Sequence, residues 1–201
     1  MRLLQFIKIF AVILVCLSLS SCKMLTDYNE PEQVILVSAI GFDAKDGVLV
    51  MSAETPSKSS KDKSVIIKGS GKSAEECIKS INRSVGSNIM LSHCGIAVLG
   101  ESLSYNDSKE ILSFLFDCQD FPLASRITAS INAESLLNCN SLSGEPIGYD
   151  ILRFLKNMEE QNEEFASQLY VVMRKDDILL PYFTVDKNDN YQLRVSLWKI
   201  I

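Results

Sequence analysis

The chain has 201 residues, 47% of them hydrophobic, a formal net charge of -5 and a single histidine. That length suits one domain with a small appendage, and the apolar content is too high for intrinsic disorder. The acidic balance excludes nucleic acid as the main partner, which would need a basic face, and His93 alone cannot build a multi-histidine metal site.

The N-terminus reads as a leader rather than as part of the fold. Arg2 and Lys8 give a positive start, and Ile9 to Leu19 is an uncharged apolar run of 11 residues. Such a run is short for a bilayer span, which takes about 20 residues, and fits a signal-peptide core. Leu19-Ser20-Ser21-Cys22 then resembles the lipobox of bacterial lipoproteins. In such signals the peptide is cut before the cysteine, and its thiol carries a diacylglycerol. Cys22 is therefore the expected lipidation site and first mature residue. Residues 1–21 are the expected signal peptide, 22–33 a polar tether and 34–201 the domain. Loss of 21 residues leaves 180 and, with Arg2 and Lys8 gone, a net charge of -7. Two acyl chains give stable attachment, so the protein is expected on the extracytoplasmic face of the cell membrane.

Val34 to Ile40 is a continuous apolar run closed by Gly41 and predicts one buried strand. Asp43 to Gly47 predicts a turn, and Val48 to Thr55 a second strand completing a hairpin. Pro56 to Lys63 is a charged, serine-rich loop, and Val65-Ile66-Ile67 a short strand before Gly69-Ser70-Gly71. Ser73 and Glu76 have capping-box spacing, and Ala74, Cys77, Ile78, Ile81 and Val85 recur at helical period until Gly86. Ile96 to Leu99 predicts a buried strand. Asp107 and Glu110 predict a second capping box before Ile111, Leu112, Leu115 and Phe116. Ser125 to Ile131 alternates as a half-buried strand, and Ala133 to Asn138 is a short helix. Ile147 to Gln161 is helical, and Glu164 to Arg174 is a further helix or a strand. Tyr182 to Val185 and Tyr191 to Ile201 are the last strands. The order β-β-β-α-β-α-β-α-α-α-β-β predicts an α+β fold, a mixed sheet packed with helices in a single domain.

After Cys16 leaves with the leader and Cys22 is lipidated, Cys77, Cys94, Cys118 and Cys139 remain. They could form two disulfides by three connectivities, or stay as buried thiols, which a core of this size permits. Candidate chemistry is sparse. His93 has Cys94 beside it, at a spacing that supports no triad, and reads as a buried or capping residue. Gly69-Ser70-Gly71-Lys72-Ser73 lacks phosphate-loop spacing and reads as a strand-to-helix turn. Asp43, Asp46 and Gly47, and the loop Asp186 to Asn190, lack calcium-loop spacing. Glu159, Glu160, Glu163 and Glu164 read as a solvated face or a docking surface for a basic partner. No catalytic, cofactor-binding or metal-ligating residue is expected.

Taken in order, these motifs resemble the Ger(x)C family of spore germination lipoproteins, the C subunit of nutrient germinant receptors. The resemblance rests on the lipobox, on Ala39-Ile40-Gly41-Phe42-Asp43, on Gly71-Lys72-Ser73 and its helix, and on His93 to Glu101. It continues through the helix Ile111 to Phe116, the turn Asp117 to Pro122, the strand Arg126 to Ile131 and Leu180-Pro181. The family usually has Trp-Asp-x-Arg-Glu after the cysteine, where this chain has Lys23-Met24-Leu25-Thr26-Asp27-Tyr28-Asn29-Glu30. Family members also continue into a large C-terminal region beyond the strand ending at Ile201, so the likeness is to the N-terminal domain alone. The resemblance implies a non-enzymatic lipoprotein on the outer face of the inner spore membrane, partnered by A-type and B-type membrane subunits, with His93 and Glu101 as fold determinants. Two other readings compete with it: a solute-binding lipoprotein of a transporter, and a thiol-active envelope protein using Cys94 or Cys118.

Overall fold

The computed structural model describes residues 34–57, 64–161, 167–174 and 179–186, and the backbone alone of Tyr191–Lys199, all within the compact unit Val34–Ile201. The expected leader, Cys22 and the tether lie outside the described residues, as do residues 58–63, Glu163, Glu164 and residues 187–190.

The apolar run at the start of the domain makes two strands where one was expected. Strand β1 (Val34–Leu36) pairs in parallel with β5 (Asn88–Met90) in a two-stranded sheet. Strand β2 (Ala39–Lys45) joins the main sheet. The change of partner falls between them, where Val37 N–H donates to Met90 O (3.1 Å) and Ser38 N–H to Glu54 O (2.9 Å). A run that is apolar at every position marks burial but carries no period from which such a switch could be read.

β2 and β3 (Val48–Pro56) form the expected hairpin, with Lys45 opposite Val48. Its turn is shorter than expected. Asp46 (φ 53°) and Gly47 (φ 76°) alone make the loop, both left-handed as a tight hairpin requires. Asp43 therefore lies within β2, not in the turn. β4 (Ser64–Gly71) pairs with β3 and runs through the glycines that were expected to end it. Those glycines admit helix α1 (Ala74–Val85) against the strand. A Cβ at Gly69 would strike the Cys77 carbonyl oxygen, and one at Gly71 the Glu76 side chain.

Ser73 caps α1 by accepting Glu76 N–H (3.3 Å), while the Glu76 carboxylate accepts Lys72 N–H (2.7 Å), one residue before the cap. Helix α2 (Tyr105–Asp117) begins three residues earlier than expected. Its cap is Ser104, which accepts Asp107 N–H, while Asp107 accepts Ser104 N–H. Asp107 is thus the third helical residue rather than the cap, because Ser-x-x-Asp outcompetes Asp-x-x-Glu at this site.

The remaining elements are β6 (Ile96–Gly100), β7 (Arg126–Ser130), α3 (Ala133–Leu137), α4 (Ile147–Gln161), α5 (Leu169–Val172), β8 (Leu179–Val185) and β9 (Tyr191–Lys199). The main sheet has the order β4-β3-β2-β6-β7-β8-β9. β2, β6, β7 and β8 are parallel, while β3, β4 and β9 run antiparallel to their neighbours. This is the expected mixed sheet of an α+β domain. Pro181 sits where the β8–β9 register shifts, a place where its missing N–H is tolerated.

Strand alternation divides the core in two. Ile40, Phe42, Met51, Ala97, Leu99, Ile127 and Ala129 meet Cys77, Ile81, Ile111, Leu115, Leu169 and Val172 from α1, α2 and α5. Ala39, Ile96, Val98 and Phe183 meet Ala133, Leu136, Leu137, Ile147, Ile151 and Leu155 from α3 and α4. The parallel strands β2 and β6, covered on both faces, are accordingly mostly apolar, whereas β7 alternates Arg126, Thr128 and Ser130 with Ile127 and Ala129.

Phe42 is fully buried on β2, between the hairpin partner β3 and the parallel strand β6. Phe42→Ala is expected to cost about 3–5 kcal/mol. Urea unfolding checks this, with a lower midpoint and little change in slope as the expected result.

Candidate functional site

The least ordinary chemistry lies on the sheet face beneath α3 and α4. Alternation along β2 puts Ala39, Gly41 and Asp43 on that face, and Glu54 sits directly opposite Ala39 on β3. Two carboxylates thus enter a buried layer, at 8% exposure for Asp43 and 0% for Glu54. Each meets the start of a helix. Asp43 Oδ1 accepts Ala133 N–H and Oδ2 accepts Glu134 N–H, both at 3.0 Å. Glu54 Oε1 accepts Ile147 N–H (2.7 Å) and Oε2 accepts Gly148 N–H (2.9 Å). Ser38 adds its hydroxyl to Glu54 Oε2 at 2.9 Å.

The forked geometry fills two orphan donors per helix with one side chain and sets a negative charge at the positive end of the helix dipole. Glycine makes the approach possible. A Cβ on Gly100 would strike Asp43 Oδ1, and one on Gly148 would lie 2.6 Å from Ala39 Cβ and 2.8 Å from Glu54 Oε2.

Burial raises the pKa of both carboxyls above the ordinary range, against the hydrogen bonds, which lower it. Asp150, in the first turn of α4, behaves in the opposite way. Burial works to raise its pKa, but hydrogen bonds from Ser143, Ser141 and the Leu142 N–H outweigh it and hold the group at about 2. Its Oδ2 accepts Ser141 Oγ–H (2.8 Å), Leu142 N–H (2.8 Å) and Ser143 N–H (3.2 Å), which folds residues 141–143 back onto the helix. These carboxylates are anchors. Their oxygens are engaged by backbone and hydroxyl donors, and Asp150 Oδ1 also accepts Arg153 Nη2–H (2.8 Å).

The acidic stretch is corrected in part. Glu159 is no docking residue. Its side chain is 11% exposed and pairs with Arg126, itself 14% exposed, at 2.6 Å. Glu159 Oε2 also accepts Arg126 Nε–H (3.2 Å) and Gln168 Nε2–H (3.1 Å), and Oε1 accepts Ser167 N–H and Oγ–H. The pair ties the end of α4 to the start of β7 and to the segment leading into α5. Glu160 remains exposed.

Asp43 and Asp46, whose spacing does not fit a calcium loop, are separated: one is buried under α3 and the other forms the hairpin turn. Among the described residues no group of three or more His, Cys, Asp or Glu side chains could hold a metal ion. Gly69 to Ser73 is the expected passage from strand to helix cap. Cys77, Cys94, Cys118 and Cys139 stand as thiols. Burial pushes Cys94 up to about 12 and Cys77 up to about 11, so neither is a thiolate near neutral pH.

Glu101 has the supporting role expected of it, accepting the Tyr182 hydroxyl at 2.7 Å and so linking the end of β6 to β8. His93 does not. It is exposed in a turn, closed by Cys94 N–H donating to Leu91 O (2.8 Å), rather than buried at the start of a strand. It borders an open hollow of about 230 Å³, whose rim also carries Ser92, Arg126 and Lys156. Sequence reasoning passed over Glu54 and Arg126. The one available sign for Glu54 was a lone acid in an otherwise uncharged strand, Val48 to Thr55.

A family model described as the spore germination protein N-terminal domain matches residues 27–185. No curated protein and no solved structure matches the chain.

Glu54→Gln is expected to destabilise the domain by about 1–3 kcal/mol, because the amide turns a donor toward helix N–H groups that need an acceptor. Urea unfolding at neutral pH measures it. The carboxyls also set a pH dependence with two signs. Asp43 and Glu54 are raised in the folded state, so the stability they confer is full in acid and declines as pH rises through their folded values. Asp150 is lowered from 3.8 to about 2, so its contribution is present above 3.8 and is lost as pH falls toward 2. Asp150→Asn should flatten only the acid limb of a stability–pH curve, and Glu54→Gln only the limb above it.

Proposed function

The chain belongs to the spore germination protein N-terminal domain family, and from that premise we propose that it serves as a subunit of a nutrient germinant receptor. A role in spore germination comes with the family; the receptor, the anchor and the partners are the further step. In this reading Cys22 carries the lipid, and the domain of residues 34–201 stands on a short tether outside the membrane. A-type and B-type membrane subunits are its partners. The protein works by contact and not by catalysis.

The observation that carries this reading is the family match over residues 27–185, beginning just after a lipobox at Leu19 to Cys22. The arrangement of the domain agrees with it. Asp43, Glu54, Asp150 and Glu159 each hold a helix or loop in place, and the buried thiols of Cys77 and Cys94 are raised away from reactivity. Among the described residues no helix is long and apolar enough to cross a membrane.

The test is Cys22→Ala in the spore-forming host. The wild-type chain should incorporate labelled fatty acid and sediment with membranes. The variant should lose the label, appear in the soluble fraction and slow nutrient-triggered germination. An unlabelled wild-type chain would overturn the anchor. A chain whose deletion leaves germination by every nutrient unchanged would overturn the receptor role.

A further inference from the structure

The hollow beside His93 has a composition at odds with the rest of the molecule. Three basic side chains line it, His93 from the turn before β6, Arg126 from the start of β7 and Lys156 from α4, together with the Ser92 hydroxyl. Among the described residues no aspartate or glutamate lines it, in a chain with 25 acidic residues against 20 lysines and arginines.

Arg126 is held rigidly at the wall. Its Nε–H and one Nη2–H go to Glu159 and one Nη1–H to the Ala124 carbonyl, at 3.2, 2.6 and 2.7 Å. A guanidinium has five N–H groups, so these bonds leave two for another acceptor. Glu159 accepts five hydrogen bonds, three of them from groups other than Arg126 Nε and Nη2, and it is not among the residues lining the hollow. His93 and Lys156 are exposed. A fixed guanidinium, its charge shared with Glu159, lines one hollow together with His93, Lys156 and Ser92, and these residues come from three elements. Planar or tetrahedral oxyanions match such a set.

We propose that this hollow is a binding site for a small oxyanion, a carboxylate or a phosphate, with Lys156 and His93 as its mobile ligands and Arg126 as its fixed one. The site is formed where the amino ends of two parallel strands meet α4, so occupancy would also bridge α4 to the sheet.

His93 is the single histidine of the chain, so its imidazole resonances identify themselves. The full chain, held in a neutral detergent and labelled with [13C]histidine, is titrated separately with inorganic phosphate and with acetate at constant pH and ionic strength. The expected result is a saturable shift of the His93 signals, reaching its plateau in the millimolar range. Lys156→Ala, a change at an exposed helix position, should weaken binding about tenfold, equivalent to about 1.4 kcal/mol. Lys79→Ala, on the exposed side of α1, should leave it unchanged. Saturation by phosphate alone assigns a phosphate site, by acetate alone a carboxylate site, and by both at similar concentration a general oxyanion site. A shift that grows linearly without plateau for both ions, or a plateau that is unaltered by Lys156→Ala, overturns the proposal.

Discussion

Two carboxylates buried on one face of the sheet decide where the helices on that face begin. Asp43 and Glu54 leave neighbouring strands of a tight hairpin and each grips two successive N–H groups of a helix. The constraint is strong because it is costly to satisfy otherwise. An orphan N–H buried in this layer loses water and gains nothing, and a buried carboxylate without donors is worse still. Together they form a unit in which neither part is stable alone. Helix α3, with five residues, is far too short to persist in isolation. It exists because Asp43 and the Asn132 side chain, which accepts Ser135 N–H at 2.7 Å, hold its first turn.

The opposite face is organised differently. There α1 and α2 are capped at the surface by Ser73 and Ser104 and pressed on the sheet by Cys77, Ile81, Ile111 and Leu115. Apolar packing positions those helices, and the caps only finish them. On the first face the order is reversed. Charged side chains in the sheet fix the helix starts, and apolar residues such as Ile151 and Leu155 fill the space that results. The far end of α4 is fixed by another buried charge, Glu159 on Arg126, so this helix is tied electrostatically at both ends. Since removing one partner of such a buried pair leaves an uncompensated charge, α4 has little freedom to shift along the sheet.

Much of the fold was legible because its elements announce themselves locally. Ile147 to Gln161 shows helical period over its whole length, and the structure keeps those bounds. Ile96 to Leu99 and Ser125 to Ile131 were equally plain, as were the hairpin and the short helix after Asn132. Apart from the start of α2, where a local serine cap wins, the misreadings share one cause. The break between β1 and β2, the persistence of β4 through Gly69 and Gly71, and the burial of Asp43 and Glu159 all depend on which distant segment lies alongside. A glycine pair reads as a turn until a helix is found lying on it. An aspartate two residues from a hairpin reads as turn chemistry until a helix N-terminus is found above it. Glu159 looked like a member of a solvated acidic run because its partner, Arg126, stands 33 positions away. The expected lipidation of Cys22 belongs to a different category, since it is a covalent signal read by length and order and lies outside the described residues.

The residues that carried the resemblance now separate by physical role. Phe42 fills the core, Asp43 starts α3, Gly100 clears space for Asp43, Ser73 caps α1, and Glu101 anchors Tyr182. Each of these is explained by the scaffold, so together they specify a shape rather than a chemistry. His93 differs from all of them. It is exposed, and it lines a hollow with Arg126 and Lys156. A scaffold residue is kept in place by what it supports, whereas His93 stands where a ligand would meet it. The division runs along the sheet itself: the carboxylate-anchored layer makes the domain rigid, and the amino ends of β6 and β7, held to α4 through Arg126 and Glu159, present that rigidity to solvent as a site with preset donors.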